Sequence, residues 1–169
     1  MSLTAPTGRS QTLSALALLI GMAGTVGAAL AFQHIGGYMP CKLCLEQRLP
    51  YYIGIPIAIF ALLSSVLKLP PVVTRGLLLV CAALMTWSIW LGGFHAGVEW
   101  SWWIGPADCG AVELPSGGSG SLLDRLDAVI PPSCTQAAGR FLGLSFAGWN
   151  FVASVGLAAI GWFSAFAKR

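Results

Sequence analysis

Charge is missing from four long stretches of this chain, and that absence constrains its fold more than any other feature. No charged residue lies between Arg9 and Lys42, between Arg48 and Lys68, between Arg75 and Glu99, or between Arg140 and Lys168. A helix needs about 20 apolar residues to cross the hydrocarbon core of a bilayer. Inside lipid the backbone has no water to bond, so such segments satisfy themselves as helices. The spacing predicts spans near 13–33, 49–67, 73–94 and 145–166, with loops near 34–48 and 95–144. Only 9% of residues are charged, against about 25% in soluble domains. The expected fold class is an all-α membrane protein, a four-transmembrane-helix bundle forming one integral domain over residues 1–169. The nine basic residues are scattered, which argues against nucleic-acid binding.

The charges between the spans set an orientation. Four spans put both ends of the chain on one side. Arg9, Lys68, Arg75, Lys168 and Arg169 fall there, with no acid among them. All six acids fall on the other side: Glu46, Glu99, Asp108, Glu113, Asp124 and Asp127. Lys42, Arg48, Arg125 and Arg140 join them. Basic residues concentrate on the cytoplasmic face, so the 68–75 turn is expected inside and the two loops outside, in a periplasm where disulfides persist. The first span is glycine-rich, with Gly21, Gly24 and Gly27 spaced for close helix approach. Ala29-Leu30-Ala31 resembles a signal-peptide cleavage site, although the apolar run is long for one.

Chemistry concentrates in Pro40-Cys41-Lys42-Leu43-Cys44-Leu45-Glu46-Gln47-Arg48. A Cys-x-x-Cys can cycle between disulfide and dithiol, bind a metal, or form a structural bridge. No histidine follows Cys44, which excludes c-type haem attachment, and the next cysteine, Cys81, lies inside an apolar segment. A compact four-cysteine zinc site is therefore hard to assemble. A helix starting near Cys41 would lower a thiol pKa there. Positions 44 and 48 share a helix face, so Arg48 is placed to stabilise charge beside Cys44. Tyr51 and Tyr52, and later Trp100, Trp102 and Trp103, suit the aromatic belts of a membrane interface.

The second outer loop holds Cys109 and Cys134, separated by a Gly/Ser-rich tether at 115–121. Residues 122–130 carry apolar side chains on one helical face before Pro131 and Pro132. They are expected to form a short amphipathic helix in this loop, lying on the membrane surface or packed on other loop residues. The cysteines divide into an outer pair, Cys41 and Cys44, a second outer pair, Cys109 and Cys134, and Cys81 as an apolar packing residue. A 109–134 disulfide could staple the loop or exchange with a partner thiol.

Taken in order along the chain, these pieces resemble the DsbB family, bacterial inner-membrane quinone reductases that reoxidise the periplasmic oxidant DsbA. The resemblance rests on Pro40-Cys41-x-x-Cys44 with Gln47-Arg48 after the first span and two loop cysteines between the third and fourth. It also rests on Phe94-His95-Ala96-Gly97-Val98-Glu99-Trp100, Gly105-Pro106-x-x-Cys109, Phe141 to Ser145 and Gly148-Trp149-Asn150. It implies an inner-membrane protein-dithiol:quinone oxidoreductase with periplasmic catalytic loops. Its partner would be a DsbA-like thioredoxin-fold protein and its cofactor a quinone, ubiquinone or menaquinone. Cys109–Cys134 would take electrons from the partner through a mixed disulfide at Cys109. Cys41–Cys44 would reoxidise the loop pair. Cys44 would face the quinone, Arg48 would hold it, and His95 would lie near it. No metal is implied, and Glu99 reads as an interface charge. A vitamin K epoxide reductase-type enzyme orders its cysteine pairs the other way. The non-enzymatic alternative is a membrane scaffold or metal-binding protein with structural disulfides.

Overall fold

The computed structural model describes residues 8–107, 109 and 133–167. Helix α1 spans Arg9–His34, α2 Lys42–Glu46, α3 Leu49–Val66, α4 Pro71–Glu99 and α5 Phe146–Phe166. Four segments are long and apolar enough to cross a membrane: α1, Lys42–Val66, α4 and α5. They form the four-helix bundle. The Gly/Ser run 115–121 and the amphipathic segment 122–130 lie outside the described residues.

Local chemistry explains the helix ends. Gln11 Oε1 accepts from the Gly8 amide at 2.8 Å, closing the first turn of α1. Pro71 occupies the first turn of α4, where a missing N–H costs nothing. Ser145 Oγ accepts from the Gly148 amide at 3.1 Å and caps α5. Ahead of that cap, strands β1 (Arg140–Phe141) and β2 (Leu144–Ser145) pair antiparallel. Their two-residue turn, Leu142-Gly143, has φ of 51° and 83°; a tight hairpin whose central residues both have positive φ favours glycine.

The helices ring the axis in the order α1, α3, α4, α5, with α1 diagonal to α4 and the α4–α5 seam the most extensive. Leu18, Met22, Tyr51, Leu78, Cys81 and Met85 are fully buried between them. Small residues close the α4–α5 seam. A Cβ on Gly161 would sit 2.9 Å from Ala82 Cβ and 3.2 Å from its backbone nitrogen. One on Gly92 would sit 3.1 Å from the Phe151 nitrogen. Of the glycines expected to bring α1 close to a neighbour, Gly21 abuts Leu157, whereas Gly24 and Gly27 meet nothing within 4 Å. The glycine spacing alone does not say which face of α1 turns inward.

The end of the bundle away from the cysteines is tied by polar groups. Arg75, read from the sequence as a boundary charge, is 1% exposed. Its guanidinium donates to the Ala165 carbonyl at 2.6 Å and to that of Ala167 at 3.0 Å. Gln11 Nε2 donates to the Ser164 and Ala167 carbonyls at 3.3 and 3.2 Å. The last turn of a helix leaves carbonyls without intrahelical partners, and a cation there also meets the negative end of the helix dipole. Arg75→Met keeps the bulk and removes the donors. Because hydrogen bonds to charged groups contribute about 1.5–3 kcal/mol, Arg75→Met should lose about 2 kcal/mol or more. That loss should appear as a lower unfolding midpoint in detergent, while Arg75→Lys loses less.

Candidate functional site

The other end of the bundle carries the sulfur chemistry. The α1–α2 connection ends at Cys41, which is the N-cap of α2. Its Sγ accepts from the Cys44 amide at 3.4 Å, so the sulfur lies at the positive end of the turn, as the motif suggested. Pro50, lacking an amide proton, sits in the first turn of α3. The chain breaks at Gln47-Arg48 between α2 and α3. Through that break Cys44 and Arg48 still face the same side of the bundle.

Cys41 and Cys44 are both free, with their sulfurs 2.9 Å apart. Cys109 and Cys134 are joined in a disulfide, with Cα atoms 5.9 Å apart. The loop pair rests on the Cys-x-x-Cys: Cys41, Leu43, Val98, Cys109 and Cys134 are buried together, with Cys44 and Phe94 against them. Cys41 Sγ, Cys134 Sγ and a His95 ring nitrogen all lie within 4.8 Å of one another. While Cys134 is bonded to Cys109 it has no thiolate to offer a metal.

The turn after α4 brings the loop here. The Trp102 amide bonds to the Gly97 carbonyl at 2.9 Å, ending the helix. Trp103 Nε1 donates to the Phe94 carbonyl at 2.7 Å, and its indole lies where any Cβ on Gly97 would be. The tryptophans expected as anchors, Trp100, Trp102 and Trp103, are all exposed.

His95 approaches Cys41 from α4, with Nε2 3.7 Å from the sulfur. Its Nδ1 is 2.6 Å from Gln47 Nε2. Gln47 Nε2 also donates to the Leu43 carbonyl at 3.2 Å, and Gln47 Oε1 accepts from Asn150 Nδ2 at 2.8 Å. Asn150 Oδ1 in turn accepts from the Tyr51 hydroxyl at 2.7 Å. Glu99, expected as an interface charge, is instead only 4% exposed, with Oε1 3.8 Å from His95 Nε2. Its Oε2 has no hydrogen-bond partner among the described residues. The last turn of α4 is covered by Trp103 and the loop pair, which shut out the water an interface charge would use.

Cys44 looks the other way. It lines a cavity of about 470 Å³ together with Gln47, Arg48, Tyr51, Phe146 and Asn150. The Arg48 guanidinium, also on the cavity wall, donates to Gln33 Oε1. His95 is not among the lining residues; it sits behind, against Cys41. The volume falls in the range of small-molecule sites, and apart from these few polar groups the walls are apolar. That suits a flat, lipid-soluble ring carrying oxygen acceptors.

Cys41 lies one residue ahead of its membrane span. The Cys44 thiol donating to it, assisted by His95 and opposed by burial, holds the Cys41 thiol down at about 4. Of the two sulfurs, Cys41 is the one its surroundings favour as thiolate. Gln47 and Asn150 went unassigned as functional groups in the sequence. Their signal is an amide inside or beside an apolar stretch, where such groups turn toward the bundle interior.

A multi-pass membrane bundle with two cysteine pairs stacked at one edge is built for disulfide chemistry. The DsbB family profile, described as Disulfide bond formation protein DsbB, matches residues 11–164, and the chain belongs to that family. It is similar to Disulfide bond formation protein B of Saccharophagus degradans, 34% identical over 154 residues, covering 87% of this chain and 88% of the relative. The same-named protein of Polaromonas sp. is 32% identical over 143 residues, covering 79% and 80%. Disulfide bond formation protein B 1 of Pseudomonas savastanoi pv. phaseolicola is 35% identical over 135 residues, covering 77% and 75%. No solved structure matches the chain significantly. The protein is therefore a membrane disulfide bond formation protein, a disulfide-forming oxidoreductase.

A thiol reacts as its thiolate, so a depressed pKa preserves reactivity until the pH falls through it. With Cys41 and Cys44 reduced, site-resolved alkylation of Cys41 should hold its rate from neutral pH downward and fall only near about 4. Cys44→Ala removes the largest cause and should move the midpoint upward. A Cys41 midpoint near the ordinary thiol value of about 8.5 would contradict the geometry.

Proposed function

We propose that this protein reoxidises a periplasmic DsbA-like dithiol protein and passes the electrons to a membrane quinone. The observation that carries this is the division of the Cys-x-x-Cys. Cys41 faces the Cys134 sulfur within 4.8 Å, and Cys44 faces the cavity. Each sulfur of one pair thus has a different neighbour to exchange with.

The exchange balances as follows. A partner thiolate attacks Cys109 Sγ, the Cys109–Cys134 bond breaks, and Cys134 leaves as a thiolate. The partner's second thiolate resolves the mixed disulfide and departs oxidised, leaving Cys109 reduced. Cys134 then attacks Cys41 of a Cys41–Cys44 disulfide, displacing the Cys44 thiolate. Cys109 attacks Cys134, re-forming the loop disulfide and releasing Cys41. This leaves the loop pair bonded and Cys41 and Cys44 free, the pairing seen here. Once the displaced Cys44 thiolate has taken up a proton, its thiol and His95 can both stabilise Cys41 as the leaving thiolate in that last step.

A quinone bound in the cavity supplies the two-electron, two-proton sink that returns Cys41 and Cys44 to a disulfide. Cys44 presents its sulfur to the ring site. Arg48, permanently cationic with a planar fork of donors, would hold an oxygen of the bound ring and favour negative charge on it. Asn150 and Gln47 add amide groups to the wall. His95 acts on the Cys41 side. On this reading residues 1–169 form one inner-membrane domain with the 68–75 turn in the cytoplasm and the loops at 34–48 and 95–144 in the periplasm.

Purified protein, reduced partner and a soluble quinone analogue test the reading through quinone absorbance. Cys41→Ser or Cys44→Ser should abolish quinone reduction. Cys109→Ser or Cys134→Ser should abolish partner oxidation while Cys41 and Cys44 still reduce quinone. Cys81→Ala should turn over nearly as the parent. If Cys81→Ala is as inactive as Cys44→Ser, the assignment of the cysteines fails.

Arg48→Ala should raise the KM for quinone and lower kcat/KM at least tenfold, about 1.4 kcal/mol of transition-state stabilisation. Arg48→Lys should recover part of it. Unchanged quinone kinetics in Arg48→Ala would make Arg48 only a helix anchor. For orientation, a membrane-impermeant thiol reagent on intact, reduced spheroplasts should label Cys109 and Cys134. Labelling of a cysteine introduced in the 68–75 turn instead would reverse the topology.

A further inference from the structure

His95 has two ring nitrogens, and the hydrogen bond made by one decides which proton the other carries. Gln47 makes that decision in two independent ways. A backbone carbonyl can only accept, so the Gln47 amide atom 3.2 Å from the Leu43 oxygen is the NH₂ group. That same nitrogen is 2.6 Å from His95 Nδ1, so Nδ1 must present a lone pair to it. On the opposite side Gln47 Oε1 accepts from Asn150 Nδ2 at 2.8 Å. The other end of the Asn150 amide, Oδ1, accepts from the Tyr51 hydroxyl at 2.7 Å. Turning the Gln47 amide over would set oxygen against the Leu43 carbonyl and nitrogen against the Asn150 amide. Both contacts are repulsive where no water can intervene.

We propose that Gln47, braced by Asn150, is a positioning residue that locks His95 as its neutral Nε2–H tautomer, making it a fixed hydrogen-bond donor to the Cys41 sulfur. His95 Nε2 then cannot take a proton from Cys41. It stabilises the thiolate that leaves when the loop disulfide re-forms, and that assignment of Cys41 rests on the function proposed above. Among the described residues, the titratable groups facing the ring are Cys41 from the α2 turn, with Cys44 beyond it, Glu99 from α4 and, once its disulfide opens, Cys134. From α5 only the neutral Asn150 reaches it, through Gln47. Two of these groups compete for the single Nε2–H: the Cys41 sulfur at 3.7 Å and Glu99 Oε1 at 3.8 Å. When Cys41 enters a disulfide and loses its charge, the donor is free to turn to the buried Glu99 carboxylate.

The test begins with the unsubstituted protein. Ring ¹⁵N spectra of His95 in lipid nanodiscs, assigned by His95→Gln, should show the proton on Nε2 at neutral pH. A spectrum with the proton on Nδ1, or an imidazolium, overturns the proposal without any variant having to fold. The second arm is the pH profile of site-resolved Cys41 alkylation in reduced protein. Gln47→Ala and Asn150→Ala release the ring and should raise the Cys41 midpoint by about one pH unit, a tenfold fall in thiolate at a given acidic pH. Gln47→Glu sets a carboxylate against Nδ1 and favours a second ring proton there; Nε2–H is then kept on a positively charged ring beside Cys41, and the midpoint should fall. Profiles that superimpose on the parent for all three variants overturn the lock, even with thermal stability reduced. None of these readouts needs quinone or protein partner. A failure of quinone reduction with an intact Nε2–H signal would count against the proposed function alone.

Discussion

A polar side chain among helices in lipid has no water to fall back on. It is satisfied by a neighbouring helix or it is costly. This constraint organises both ends of the bundle. At one end the Arg75 guanidinium and the Gln11 amide finish the last turn of α5. At the other, Tyr51, Asn150 and Gln47 pass a run of hydrogen bonds from the middle of the bundle to the ring of His95. Ser88 and Ser154 join it at 2.8 Å. Interhelical hydrogen bonds in membranes contribute only about 0.6–2 kcal/mol each. Their larger role here is to set rotation: a helix that turned on its axis would leave several such groups unpaired at once.

Fixed rotation is what separates the two sulfurs of the Cys-x-x-Cys. They are three residues apart, one capping a five-residue helix and the other within it, yet one meets the loop disulfide and the other the cavity. The break at Gln47-Arg48 makes this arrangement workable. Next to it, the Gln47 amide and the Arg48 guanidinium both line the cavity. Gln47 thereby touches both compartments, lining the cavity while holding the ring that contacts Cys41. The cavity side is walled mainly by apolar residues, and the loop pair covers the Cys41 side, so the two sulfurs have different surroundings.

Among the described residues, Glu99 has the one buried side-chain polar atom without a hydrogen-bond partner. Its carboxylate is buried with one oxygen unpartnered among the described residues and the other at long range from His95. The turn around it carries α4, Trp103 and the loop disulfide.

Much of the architecture could be read from the chain alone. Charge-free runs predicted four spanning helices, and four segments long and apolar enough to cross a membrane are present, because span length is set by the bilayer and not by a partner. The Cys-x-x-Cys as helix cap was legible too, since capping is local. The sequence did not reveal which faces turn inward. In a soluble helix an apolar stripe marks the buried side; in a span both sides are apolar, and lipid hides the difference. So Gly24 and Gly27 face outward where close packing was expected, and Gly92 and Gly161 make the tight seam instead. Arg75 and Glu99 looked like boundary charges and are buried. Gln47 and Asn150 lie 103 residues apart in sequence. Only when α5 packs against the α2–α3 break do they meet, and only then does His95 acquire a defined proton.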